Sequence, residues 1–115
     1  MQNLMYIAIC FFILAIFFGF IVFMQLLCDR PSFKPVVVAH GLAAILGLGC
    51  LIAFAIQHAG NKPWLSIGVL ILAAMGGLTL LSFDLRKKLA PKLLLVLHPL
   101  AALAGLGLLI YYLIY

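Results

Sequence analysis

The sequence contains no glutamate, and aspartate occurs only as Asp29 and Asp84. Charged residues make up 8% of the chain against 69% hydrophobic ones, a balance that cannot hide its apolar surface in a water-soluble core. With no carboxylate inside an apolar segment, a proton-coupled exporter of the small four-helix kind is disfavoured, since that chemistry needs a titratable acid in its pathway. Hydrolytic catalysis is disfavoured as well, because no nucleophile and base are placed together, and enzymatic activity of any kind is left open with the balance against it. The three cysteines, Cys10, Cys28 and Cys50, form no C-x-x-C pair, which argues against a redox dithiol.

What the chain has in abundance is long apolar sequence. Residues 4–27, 36–56, 64–83 and 93–115 are each long enough to span about 30 Å of hydrocarbon as a helix. None shows the alternation of a lipid-facing barrel strand, so all are expected to be helical. The first stretch lacks a basic leader and a small-x-small cleavage site before Asp29, and is therefore read as a true span rather than a signal peptide. The expectation is an all-α, integral membrane four-helix bundle, a single membrane domain over residues 1–115 with a bilayer as its solvent.

The basic residues set an orientation. Arg30 and Lys34 fall between the first two spans, and Arg86, Lys87, Lys88 and Lys92 between the last two, with only Lys62 on the other side. The positive-inside rule then places those two loops in the cytoplasm and both termini outside, with a bacterial inner membrane as the default location. Tyr6, Trp64, Tyr111, Tyr112 and Tyr115 gather at the opposite interface, where amphipathic rings are favoured. The net charge of +5 reads as topology and anionic headgroups, not nucleic acid.

The segment beginning His40-Gly-Leu-Ala-Ala-Ile-Leu-Gly-Leu-Gly aligns without a gap on His98-Pro-Leu-Ala-Ala-Leu-Ala-Gly-Leu-Gly. Such a repeat in apolar sequence predicts two copies of one helical hairpin, about 1–58 and 59–115. Both hairpins start and end on the same side, so the repeat is parallel, with its pseudo-two-fold along the membrane normal. The turns look related too, each with an acid at the end of its first helix, then basic residues and a proline. Short loops make sequential helices antiparallel neighbours and leave the second and fourth on the diagonal.

At 100° per residue, His40, Ala44 and Gly47 lie on one stripe of the second helix, and His98, Ala102 and Gly105 on the matching stripe of the fourth. His40 follows Lys34 at the spacing by which His98 follows Lys92, so the two imidazoles are expected at one depth, able to face each other across the bundle. An ionisable group inside a span is a functional-site hypothesis by default. Haem b suits the pair: neutral imidazoles are axial ligands for its iron, Ala44, Gly47, Ala102 and Gly105 would leave a slot for the macrocycle, and Arg30, Lys34, Arg86 and Lys92 stand on the side where propionates need cations. Pro99 leaves the carbonyl of Leu95 without a helical donor directly beside one of the histidines.

The bundle with His40 and His98 resembles the small membrane b-type cytochromes, in particular the di-haem transmembrane cytochrome b family, in which four helices hold haem between histidines of paired helices. That family has a second histidine pair near the opposite face. Here His58 stands alone there, so the resemblance implies one haem at most, unless another subunit supplies a ligand. Electron transfer with a membrane redox partner is the function it implies.

Two other readings fit the same sequence. One is a small channel or carrier, a homo-oligomer packed through the small residues of the third helix, such as Ala73 and Gly77. The other is a structural or assembly subunit in which the histidines only donate to carbonyls of neighbouring helices.

Overall fold

A computed structural model describes residues 2–30, 32–57, 64–88 and 91–114. His58, Lys62 and Tyr115 lie outside the described residues, so the expectations attached to them are left where the sequence puts them. The described chain forms four α-helices: α1 (Gln2–Leu27), α2 (Lys34–Gln57), α3 (Trp64–Leu85) and α4 (Lys92–Ile114). With 22 to 26 residues each, they are about 33 to 39 Å long at 1.5 Å per residue. All four are long and apolar enough to be candidate membrane spans.

The helices pack as two hairpins, α1 with α2 and α3 with α4, which meet more sparsely along α1/α4 and α2/α3. The second and fourth helices are diagonal, as expected from the short connections. Most large side chains point away from the bundle: Phe17 is 61% exposed, Phe20 62% and Leu72 65%. Outward faces of this kind imply contact with a lipid bilayer, where the hydrophobic effect does not drive helices together and close packing takes over.

That packing is concentrated at one end. Met5, Ala8 and Phe12 of α1 join Leu51, Phe54 and Ala55 of α2, Ile67 and Leu70 of α3, and Leu106 and Leu109 of α4 in a single buried cluster. These are the N-terminal halves of α1 and α3 against the C-terminal halves of α2 and α4, far from the basic turns. Phe12 is 6% exposed and belongs to the core.

The basic end is closed by two matching turns. After α1, Asp29 adopts φ 59°, its amide donates to the Leu26 carbonyl, and the Arg30 amide donates to the Gln25 carbonyl. After α3, Lys87 adopts φ 57°, its amide donates to Asp84, and the Lys88 amide donates to Phe83. Both are Schellman caps, which satisfy orphan carbonyls at a helix end through one left-handed residue. The turns share the His40-to-His98 spacing, which makes Asp29 the counterpart of Lys87 and corrects the expected pairing of Asp29 with Asp84. Asp84 instead sits in the last turn of α3, at the position Leu26 holds in α1.

The second helices start without waste. Pro35 lies in the first turn of α2, where no amide is needed, and the Pro91 carbonyl accepts the Leu95 amide as α4 begins. α4 is assigned as one helix through Pro99.

Candidate functional site

His40 is on α2, between one and two turns past Lys34, and its ring is half-buried against α1. Its Nδ1 lies 2.8 Å from the Ala15 carbonyl oxygen. His98 repeats the arrangement in the other hairpin, with Nδ1 2.7 Å from the Ala73 carbonyl oxygen of α3. A carbonyl can only accept, so Nδ1 carries the proton in both rings and a neutral imidazole keeps its lone pair on Nε2. Among the described residues neither Nε2 has a hydrogen-bond partner, and neither is fully enclosed.

The two rings meet across the diagonal of the bundle. Their centroids are 6.1 Å apart and their planes stand at 88°. The juxtaposition belongs to side chains alone, since α2 and α4 do not pack directly on each other.

Two glycines make room for the rings. A β-carbon on Gly19 of α1 would come within 2.9 Å of His40 Cε1 and 3.0 Å of Nδ1. One on Gly77 of α3 would come within 2.9 Å of His98 Cε1 and 3.3 Å of Nε2. Ala15 and Gly19 thus form, on consecutive turns of α1, an acceptor and a flat seat for one imidazole, and Ala73 and Gly77 repeat it on α3. Sequence reasoning read the repeat as two hairpins with related turns, yet missed these four residues in that role. Their signal was present, since Ala15 with Ala73 and Gly19 with Gly77 keep the His40-to-His98 spacing.

The glycines expected to open a slot beside the histidines are used differently. The space over Gly47 is taken by the Phe12 ring, at 3.0 Å from a would-be β-carbon, and that over Gly105 by Leu70, at 2.6 Å. Both sit in the buried core, where they let each hairpin close. Ala44 and Ala102, one turn from the histidines, are partly buried. Gly105 has one further contact: its carbonyl accepts a 2.7 Å hydrogen bond from the buried Ser66 hydroxyl.

The cations of the basic end divide into two kinds. Lys34 of α2 reaches the other hairpin and pairs with Asp84, whose carboxylate also accepts from the Ser32 hydroxyl at 2.7 Å. Lys92 of α4 returns the contact, 2.7 Å from Asp29 and within 3.4 Å of the Leu26 and Leu27 carbonyls at the end of α1. Both acids of the sequence are therefore spent on lysines of the opposite hairpin, although arginines are their nearer neighbours in sequence. Arg86 donates from Nε to the Ser82 carbonyl and lies 5.2 Å from the Phe83 ring centroid. Arg30 is exposed and borders a crevice between the hairpins, together with Lys88.

Among the described residues no group of three or more histidine, cysteine, aspartate or glutamate side chains is placed to hold a metal ion. What the site offers is two imidazoles from opposite hairpins, each with Nδ1 held by a helix carbonyl and Nε2 without a hydrogen-bond partner among the described residues. Comparison with protein-family models, with curated proteins and with solved structures finds no match. The chain is accordingly described by its architecture: a small four-helix protein with four candidate membrane spans.

Proposed function

We propose that the protein is an integral membrane haem-binding protein in which His40 and His98 ligate one b-type haem for electron transfer. The observation that carries this reading is the pair of imidazoles 6.1 Å apart, each with Nδ1–H given to a helix carbonyl. At this separation His40 and His98, one from each hairpin, would be able to hold a single metal-centred group between them. The carbonyls of Ala15 and Ala73 fix which nitrogen is protonated and so which can ligate, the usual second partner of a metal-bound histidine.

Two ligands from the chain suit a metal that brings its own equatorial set, as iron in a porphyrin does. The group would supply one-electron chemistry. The protein would supply the imidazoles of His40 and His98 as ligands, an apolar surround and cations at the basic end. The sparse packing between hairpins provides the seam along which a flat molecule could separate them.

The membrane setting of this reading is a bilayer with the basic turns on the cytoplasmic side and both termini outside, in a bacterial inner membrane. The two hairpins are parallel repeats about an axis along the membrane normal.

The test is the visible spectrum of the chain purified in mild detergent from haem-replete cells, oxidised and reduced, beside His40→Ala and His98→Ala. A Soret band with sharp reduced α and β bands, lost in both variants, is expected. A protein that stays colourless after haem addition overturns the haem reading and leaves the imidazoles as internal ties of the hairpins. Partner pull-downs and transport assays would then examine the assembly-subunit and channel readings.

A further inference from the structure

The geometry points to a binding site for the headgroup of an anionic phospholipid in the crevice between the two hairpins at the basic end, flanked by Arg30 and Lys88. The inference rests on the membrane reading above, though not on the haem.

The argument starts from charge. Seven lysines and arginines face two aspartates in the sequence. Both aspartates are taken, Asp84 by Lys34 and Asp29 by Lys92, so within this chain no carboxylate side chain remains for Arg30, Arg86, Lys87 or Lys88. A group of cations at one end of a candidate membrane bundle draws its counter-ions from outside, and the nearest fixed anions at that depth are headgroup phosphates.

The structure then distinguishes two of the four. Arg30 and Lys88 each follow the left-handed residue of a Schellman cap, one in each hairpin, and so occupy equivalent positions. Both line one crevice, whose other polar walls are the Asp29–Lys92 pair and Asp84, the partner of Lys34, and whose apolar lining is Leu26, Leu80 and Leu95. Arg86 and Lys87 do not line it; Arg86 is turned onto Phe83. Leucines below cations is the order in which a phospholipid presents its chemistry, with the acyl and glycerol part deeper than the phosphate. The paired acids hold Lys92 and Lys34 in place and leave Arg30 and Lys88, whose side chains have no acidic partner among the described residues, to face the oxyanion.

The experiment uses the full chain reconstituted or solubilised with phosphatidylglycerol or phosphatidylcholine, reading lipid retention by native mass spectrometry and membrane insertion by vesicle flotation. Wild type is expected to float with both lipids and to retain phosphatidylglycerol preferentially. Arg30→Gln and Lys88→Gln are each expected to cut the preference about fivefold, from the worth of one cation near a charged bilayer, and the double variant Arg30→Gln with Lys88→Gln to cut it further. Arg86→Gln with Lys87→Gln removes the same charge outside the crevice and is expected to preserve most of it. Equal losses in the two double variants, no preference in wild type, or the same occupancy by inorganic phosphate alone would each overturn the site. Failure to float with either lipid would instead overturn the membrane reading.

Discussion

Gly19 lies so close beneath the imidazole of His40 that a single added carbon would stand 2.9 Å from Cε1, and Gly77 bears the same relation to His98. In each hairpin the helix without a histidine has shaped itself to the ring of the helix that has one. Gly19→Ala and Gly77→Ala should therefore push the ring from its carbonyl. Overpacking of this kind costs about 1 to 3 kcal/mol, measurable as a lowered unfolding midpoint in detergent. On the proposed haem reading, occupancy should fall in parallel, read from Soret absorbance per protein, because the imidazole that would hold the group is displaced.

The glycines of the second and fourth helices should separate into two groups. Gly105→Ala collides with Leu70 at 2.6 Å and Gly47→Ala with Phe12 at 3.0 Å, whereas Gly49 and Gly107 have nothing within 4 Å. The first pair should destabilise by about 1 to 3 kcal/mol, with Gly105 the worse because its added carbon meets Leu70 at 2.6 Å against 3.0 Å for Gly47 and Phe12. Alanine at Gly49 or Gly107 should be neutral or slightly stabilising, since it adds helix propensity at no steric cost. Thermal unfolding of the four variants in one detergent checks the order.

The reciprocal ion pairs should be modest and unequal. Exposed pairs contribute about 0 to 1 kcal/mol, and Lys92, Asp29 and Lys34 are all more than half exposed. Lys92 also donates to the Leu26 and Leu27 carbonyls, so Lys92→Ala strips α1 of a cap as well as an ion pair. A double-mutant cycle on Lys92 and Asp29 should accordingly leave a residual loss with Lys92→Ala that Asp29→Ala does not share. Raising salt should shrink the coupling term in both pairs.

Lys87→Gly should stabilise the protein by about 1 kcal/mol, because a side-chain-bearing residue at φ 57° pays for a left-handed conformation that glycine adopts freely. Asp29→Gly relieves the same backbone cost but discards the carboxylate that holds Lys92, so it should gain less. The difference between two positions related by the repeat, measured as unfolding midpoints, isolates the worth of that carboxylate.

Much of the architecture was legible before any coordinates. Helices were readable because unbroken apolar runs of this length leave the backbone no other way to satisfy its amides in hydrocarbon. The hairpin pairing followed from the short connections, and the meeting of His40 with His98 from their matched distance to Lys34 and Lys92. Less legible was the use of each small residue. Gly47, Gly105, Gly19 and Gly77 look alike in sequence, and only the neighbouring helix decides whether a phenylalanine, a leucine or an imidazole fills the space above. Asp29 and Asp84 misled for a similar reason: both end a helix, yet their backbone positions differ by one turn.

By itself the sequence determined the solvent of the chain, its helices, its repeat and the level of its two histidines, because composition and spacing act along a single helix or between helices joined by short turns. The tertiary structure decided the contacts between residues remote in the chain: which carbonyl holds each Nδ1, which glycine seats each ring, and which lysine crosses to which aspartate. Those depend on the rotation of each helix about its own axis, which is fixed by packing against its neighbours when hydrophobicity is the same on every face.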